Sequence, residues 1–172
     1  FTMGTRAEAK MTARQGKVPN WYLDVSLLNQ YWGSDRVYHH TAPVNMNFGM
    51  REALRLLAEE GLDQAWARHR CNAEMLWSGL ESLGLSMHVP ADYRLPTLTT
   101  VRIPEGVDGK AFSQHLLNNH GIEVGGGLGT LAGQIWRIGL MGYNSTPDNV
   151  NRLLNLFETE LPRFSGSVAA AA

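Results

Sequence analysis

The stretch Gln-Ile-Trp-Arg-Ile-Gly-Leu-Met at residues 134–141 has the pattern of a β-strand with one buried face. Side chains alternate between the two faces of a strand, so Trp136 and Ile138 are predicted to face the core. Ile135, Arg137 and Gly139 then share the opposite face. A charged residue inside an apolar strand needs a partner, because an unpaired buried charge is costly. Arg137 is therefore either the receptor for a ligand carboxylate, beside the space that Gly139 leaves, or a cation satisfied by an internal Asp or Glu or by water.

A glycine-rich segment precedes this strand, with the sequence Val-Gly-Gly-Gly-Leu-Gly-Thr at residues 124–130. Glycine allows a backbone to approach a ligand closely or to adopt positive φ. The segment fits neither the phosphate-loop pattern nor the dinucleotide-binding pattern. By itself it is more typical of a flexible hairpin loop than of a binding site, and its interest comes from its place before the Arg137 strand.

Helical and strand patterns alternate along the rest of the chain. Helices are predicted at residues 4–16, 50–58, 62–83, 108–119 and 147–161, and further strands at 85–89, 97–103 and 122–124. The last helix has the clearest start, with Thr146 as N-cap and Pro147 at its first position. Residues 20–43 are predicted to be irregular. Strands separated by helices in 172 residues predict an α/β fold in which helices cover a small sheet.

The composition argues against several classes of partner. Hydrophobic residues make up 44% of the chain and charged residues 18%, as in a globular protein, and the formal net charge is −1. This balance gives no reason to predict nucleic acid or an anionic membrane as partner. No apolar run reaches the roughly 18 residues of a membrane span. The single cysteine, Cys71, allows no internal disulfide and is interpreted as a helix residue without a chemical role.

The segment Tyr38-His39-His40-Thr41 offers two adjacent imidazoles and two hydroxyl groups. Neighbouring side chains of an extended segment point apart, and no further ligand completes a set, so a metal site is not predicted. The hydroxyls of Tyr38 and Thr41 could contact a phosphate oxygen. The alternative is a packed aromatic ring and a turn threonine.

Several spaced motifs together resemble one family. They are Trp-Tyr-Leu-Asp (21–24), Tyr-Trp-Gly (31–33), Tyr-His-His-Thr-Ala-Pro-Val (38–44), Arg-Glu-Ala-Leu (51–54), Leu-Pro-Thr-Leu-Thr-Thr-Val (95–101), Gly-Ile-Glu-Val-Gly-Gly-Gly-Leu-Gly (121–129) and Trp-Arg-Ile-Gly-Leu-Met-Gly-Tyr-Asn (136–144). In order and spacing they resemble the C-terminal part of the alanine–glyoxylate (serine–pyruvate) aminotransferases of class V. The resemblance covers residue 1 to about residue 164.

This resemblance implies the small C-terminal domain of a fold-type-I transferase that depends on pyridoxal 5′-phosphate (PLP). Its helices would pack on a small, mainly antiparallel sheet. Residues 46–164 would form this domain, and residues 1–45 an arm and interdomain segment from the large domain. Residues 165–172 are expected to be a tail or linker.

The resemblance also implies an activity: a homodimer that transfers an amino group from alanine or serine to glyoxylate, giving glycine and a 2-oxo acid. Arg137 would bind the substrate α-carboxylate, and Gly127 would line the site. Tyr38 and Thr41 would reach the PLP phosphate in the active site of the partner subunit. No metal ligand is predicted.

A PLP enzyme also requires a lysine that forms a Schiff base with the cofactor. Lys10, Lys17 and Lys110 do not match the family's lysine, which is expected upstream of residue 1. The chain is therefore expected to contain no catalytic residue and to be inactive alone. The alternatives are a non-catalytic binding or dimerisation module on the same fold, or a 3-hydroxykynurenine transaminase.

The resemblance implies an intracellular protein of peroxisomes or mitochondria. Peroxisomal members of the family end in a tripeptide like Ser-Lys-Leu, whereas this sequence ends in four alanines.

Overall fold

The structure, a computed structural model, describes residues 2–166. The chain divides into two compact units, the first ending at Glu52 and the second beginning at Ala53. Helices and a small antiparallel sheet make the fold α/β, as predicted. Residues 167–172, which include most of the predicted tail and the C-terminal alanines, lie outside the described residues. The predicted domain limits at residues 45 and 164 stay predictions.

The first unit carries two short helices and a 3-10 turn: α1 (Thr5–Thr12), Trp21–Leu23 and α2 (Val25–Trp32). The prediction that residues 20–43 are irregular is wrong over α2. Asp24 caps this helix, because its carboxylate accepts a hydrogen bond from the Ser26 N–H at 3.0 Å and another from the Ser26 hydroxyl at 2.8 Å. The hydroxyl bond holds the pKa of Asp24 below its ordinary value. A helix of eight residues shows too little apolar periodicity for the pattern alone to reveal it.

Helix α3 (Val44–Glu60) contains the boundary between the two units and begins well before the predicted start at residue 50. None of its residues is buried. Six of its large apolar side chains are exposed: Val44, Met46, Phe48, Met50, Leu54 and Leu56. An exposed apolar surface of this kind is typical of a face that contacts another protein segment.

Three further helices and three strands lie between residues 61 and 160: α4 (Leu62–Ser82), β1 (Leu98–Arg102), α5 (Gly109–His120), β2 (Gly125–Gly126), β3 (Ile135–Gly139) and α6 (Pro147–Glu160). Both strand pairings are antiparallel, and the order in the sheet is β1-β3-β2. The predicted strand at residues 134–141 is therefore the central strand.

Two of the predicted strands are wrong. Residues 85–89 form only an isolated bridge to β1 through Met87, and Pro90, which has no N–H to donate, limits further pairing. Residues 122–124 precede the strand that does form, at Gly125–Gly126.

The core lies between α4, α5 and α6 and one face of the sheet. Trp136 belongs to it and is 1% exposed. Its indole Nε1 donates a hydrogen bond to the Gly109 carbonyl oxygen at 3.0 Å, and its ring packs edge-on against Phe112. Ile138 is buried in the same core, so the predicted inner face of β3 is confirmed. Arg137 and Gly139 are left on the other face. Ile135 was predicted to lie there with them, but it is buried, with 2% of its surface exposed.

Candidate functional site

Arg137 lies in the middle of the central strand, opposite Thr100 of β1 on one side and Gly125 of β2 on the other. The residue is half-buried. Its Nε donates a hydrogen bond to the Gly126 carbonyl oxygen at 2.7 Å. Among the described residues, no Asp or Glu forms an ion pair with this guanidinium. The geometry therefore leaves the two terminal amino groups of Arg137 available to an incoming acid group.

The surface beside Arg137 is built from glycine. A Cβ added at Gly139 would lie 3.8 Å from its nearest neighbour, the Met141 methyl group, and Gly139 itself is exposed. On the β2 side, a Cβ at Gly125 would lie 3.3 Å from Nη2 of Arg137. Small residues on both sides thus give the guanidinium the open space that the sequence predicted.

Gly127 has a packing role that the sequence did not indicate. A Cβ there would lie 1.9 Å from the Leu131 carbonyl oxygen and 3.0 Å from a side-chain carbon of Ile135. Its N–H donates to the Ile135 carbonyl oxygen at 3.1 Å, which continues the pairing of β2 with β3. The glycine-rich segment is therefore partly a strand rather than a hairpin loop throughout. Contact of Gly127 with a ligand stays a prediction.

Tyr38 and Thr41 are brought together in the first unit. Their hydroxyl oxygens lie 2.9 Å apart, at hydrogen-bonding distance, and both residues are exposed. Each hydroxyl can donate one hydrogen bond and accept others, so the pair is suited to an oxyanion. The Tyr38 ring is 68% exposed and packs edge-on against the Tyr31 ring, with centroids 5.8 Å apart. The phosphate role of these hydroxyls and its alternative, a packed ring with a turn threonine, both stay predictions.

The two imidazoles between these hydroxyls contact each other. Nδ1 of His39 and Nδ1 of His40 lie 2.8 Å apart, and Nε2 of His39 lies 3.1 Å from the Trp21 carbonyl oxygen. His39 is only 6% exposed, and its ring stacks on that of Trp21 with centroids 4.1 Å apart. Three of the four ring nitrogens are thus engaged within the protein.

Three side chains of α4 hold the turn that follows β3, a contact that sequence analysis missed. Arg68 Nη1 donates to the carbonyl oxygens of Gly142 at 2.9 Å and Ser145 at 2.8 Å. The Gly142 N–H donates to His69 Nε2 at 2.9 Å. Asn72 Nδ2 donates to the Ser145 carbonyl oxygen at 2.9 Å. The spacing of Arg68 and Asn72, one helical turn apart, is the signal that places them on one face of α4.

Glu60 completes this network. Its Oε2 accepts a hydrogen bond from Arg68 Nη2 at 2.8 Å. This hydrogen bond is the main reason that the pKa of the Glu60 carboxyl lies below its ordinary value. Arg68 is thereby oriented from one side by a carboxylate while it holds backbone carbonyls on the other.

One cluster within residues 2–166 has the spacing of metal ligands, formed by His115, His120 and Glu160. Glu160 Oε2 already accepts hydrogen bonds from His115 Nε2 at 3.0 Å and from Arg163 Nη1 at 2.6 Å. The carboxylate of this cluster is thus already paired with an arginine. The prediction that the chain has no metal ligand stays a prediction.

The predicted site residues fall into two groups. Arg137 and Gly127 lie in the second unit, on β3 and beside β2, and Tyr38 and Thr41 lie in the first unit. No helix in the described part of the chain is both long and apolar enough to cross a bilayer.

The sequence pattern of class-V aminotransferases matches residues 19–153, and the chain belongs to this family. Its structure is similar to that of alanine–glyoxylate aminotransferase from Nostoc sp., with a TM-score of 0.86 and 60% identity over 91% of this chain and 42% of that chain. Alanine–glyoxylate aminotransferase of Oryctolagus cuniculus is 45% identical over 89% of this chain and 40% of its own length.

A relative with a different amino donor in its name is also similar. The (S)-ureidoglycine–glyoxylate transaminase of Bacillus subtilis (strain 168) is 37% identical over 97% of this chain and 41% of its own length. The chain therefore spans about 40% of the length of these curated relatives.

Proposed function

We propose that the chain is the C-terminal part of a PLP-dependent aminotransferase that transfers an amino group from alanine or serine to glyoxylate, giving glycine and a 2-oxo acid. The observation that carries this proposal is Arg137. Its Nε is fixed on the Gly126 carbonyl, and its terminal amino groups have no carboxylate partner in residues 2–166. Both the amino donor and the acceptor of the reaction carry a carboxylate for such a receptor.

Arg137 would contribute by binding and orientation. Two parallel N–H···O bonds from a guanidinium fix the plane of a carboxylate, which also fixes the direction of the bonds at the adjacent carbon. Each charge-assisted bond contributes about 1.5–3 kcal/mol. The glycines beside Arg137 keep side chains out of the space in which the substrate would lie.

The hydroxyl pair of Tyr38 and Thr41 fits the phosphate group of PLP. The two hydroxyls are exposed and hydrogen-bonded to each other at 2.9 Å, so one hydrogen of the pair is free to donate to a phosphate oxygen, and the second becomes free when the phosphate replaces the bond between them. When bound, PLP supplies the electron sink that makes a bond at the substrate α-carbon labile. In the homodimer that we propose, Tyr38 and Thr41 serve the active site of the partner subunit.

A lysine for the Schiff base is the missing catalytic part. Lys10, Lys17 and Lys110 are all exposed, and none lies in the motifs shared with the family. We propose that the lysine belongs to the large domain of the complete enzyme and that residues 1–172 alone do not transaminate. Similarity to aminotransferases over most of the chain favours the enzyme over a non-catalytic module.

The test uses the full-length enzyme and the Arg137→Leu variant. We expect the KM for alanine to rise roughly 100-fold, because about 3 kcal/mol of carboxylate binding is lost, while the PLP absorbance spectrum is unchanged. Arg102→Leu is the matched control, since Arg102 is an exposed arginine at the end of β1. A KM for alanine within about threefold of wild type in Arg137→Leu would reject the role of this arginine.

The amino donor is identified by turnover with glyoxylate as acceptor. Alanine, serine, (S)-ureidoglycine and 3-hydroxykynurenine should be compared by kcat/KM, because the relatives above share glyoxylate but differ in donor. We expect alanine or serine to give the highest value. If (S)-ureidoglycine or 3-hydroxykynurenine gives the highest value, the proposed aminotransferase reaction stands and the proposed amino donor is wrong.

A further inference from the structure

We propose that His39 is a positioning residue that fixes the Tyr38 and Thr41 hydroxyls for the cofactor phosphate. This inference rests on the proposed function of the hydroxyl pair. His39 would not touch the phosphate itself. It would act through the backbone on either side of His39.

The first argument is the contrast in burial along one short segment. His39 is 6% exposed, whereas Tyr38, its immediate neighbour, is 68% exposed and Thr41 is also exposed. A buried imidazole must be satisfied by hydrogen bonds, because burial of an unpaired polar group is costly. His39 obtains these bonds from Trp21 and His40, and its ring stacks on the Trp21 ring. The two residues with exposed hydroxyls therefore lie on either side of a residue whose ring is held in place.

The second argument is the distribution of protons. A carbonyl oxygen only accepts, so Nε2 of His39 must carry a hydrogen and donate it to Trp21. The contact between the two Nδ1 atoms holds one hydrogen, which one ring donates and the other accepts. The charged and titratable groups around the pair are the Asp24 carboxylate and the phenols of Tyr22 and Tyr31, whose rings pack against the imidazoles.

The third argument is connectivity. His39 and His40 are the two residues that separate Tyr38 from Thr41, and the hydroxyl distance of 2.9 Å depends on the backbone path through them. The donor at Nε2 and the stacked ring attach this path to the turn at Trp21–Leu23. Without the buried His39 ring, both hydroxyls would be present but free to separate. The pair would then have to be ordered when the phosphate binds, which lowers the affinity for the phosphate.

The experiment measures cofactor binding to the full-length apoenzyme, with PLP and with pyridoxal, which has the same ring without the phosphate. In His39→Phe, which keeps an aromatic ring and removes both nitrogens, we expect the Kd for PLP to rise about tenfold, the equivalent of one hydrogen bond. The Kd for pyridoxal should stay within about twofold. In His39→Gln, whose amide can again donate to the Trp21 carbonyl, part of the PLP affinity should return.

The Tyr38→Phe, Thr41→Val double variant separates the two levels of the proposal. If the double variant weakens the binding of PLP more than that of pyridoxal and His39→Phe does not, the inference is overturned while the cofactor role of the hydroxyls stands. If the double variant does not distinguish the ligands, the cofactor role fails and the inference with it. The inference is also overturned if His39→Phe raises the Kd for PLP and the Kd for pyridoxal by the same factor while His39→Gln keeps the wild-type preference for PLP over pyridoxal. That result would show that His39 serves folding only.

Discussion

Arg137 Nε donates a hydrogen bond across 2.7 Å to the carbonyl oxygen of Gly126, from the central strand to the edge strand of the sheet. The bond uses the nitrogen nearest the backbone, and neither terminal amino group takes part in it. A backbone carbonyl can be supplied by any residue, so the requirement for glycine lies in the positions on either side. A Cβ at Gly125 would crowd the guanidinium, and one at Gly127 would collide with backbone.

Gly127→Ala should destabilise the full-length protein. The added Cβ would lie 1.9 Å from the Leu131 carbonyl oxygen, which belongs to the backbone and cannot rotate away. We expect a loss of about 1–3 kcal/mol in the free energy of unfolding, measured by chemical denaturation. Gly126→Ala is the matched control, since a Cβ there meets nothing within 4 Å. Equal losses in the two variants would contradict the packing role of Gly127.

Removal of the N-cap of α6 should also lower stability. The Thr146 hydroxyl oxygen accepts a hydrogen bond from the Asn149 N–H at 3.2 Å. Thr146→Ala removes this acceptor and should cost about 1 kcal/mol, whereas Thr146→Ser retains it and should lie close to wild type. Denaturant midpoints of the three proteins test the prediction, and it is wrong if the serine variant loses as much as the alanine variant.

The buried amide of Asn72 should not tolerate a carboxylate. Asn72 is 3% exposed and donates to both the carbonyl and the hydroxyl oxygen of Ser145. In Asn72→Asp an ionised group would face the Ser145 carbonyl oxygen without a hydrogen to donate, at a cost of about 1–3 kcal/mol at pH 7. Thermal unfolding should show this loss, and the exposed Asn155→Asp should not. A neutral effect at Asn72 would argue against the hydrogen bonds to the turn.

The Glu60–Arg68 pair predicts a pH-dependent contribution to stability. The pKa of Glu60 is lowered in the folded protein, so its contribution is complete above the ordinary carboxyl value and is lost as the pH falls through the lowered value. Glu60→Gln should therefore lower the unfolding temperature at pH 7, and the difference from wild type should shrink as the pH falls below 4.5.

Glu158→Gln is the control for this pH series, because Glu158 is exposed on α6. We expect its difference from wild type to be small at every pH. A Glu60→Gln difference that is constant over the whole series would contradict a contribution from the charged carboxylate.

Long elements with caps were predictable from the sequence. Helix α5 runs from Gly109 to His120, with the Asp108 side chain accepting from the Ala111 N–H, and α6 begins at Pro147 as predicted. Both have an apolar stripe that faces the core together with a local start signal. The inner face of β3 was predictable for a similar reason, because alternation over several residues needs no knowledge of the partner strands.

Short elements and long-range contacts were not predictable. Helix α2 has eight residues, and only its Asp24 cap distinguishes it from a loop. The contacts of Arg68 with Gly142 and Ser145 join residues more than seventy positions apart, and no local pattern specifies such a pair. The open guanidinium of Arg137 was not predictable either. The sequence indicated that it needs a partner, but it could not show that residues 2–166 supply no carboxylate.

Helix α3 has a practical consequence for laboratory work on residues 1–172. A seventeen-residue helix with no buried position leaves Met46, Phe48 and Met50 in water. Such a surface promotes self-association at the concentrations used for purification. Preparations of the isolated chain should therefore include a solubilising fusion.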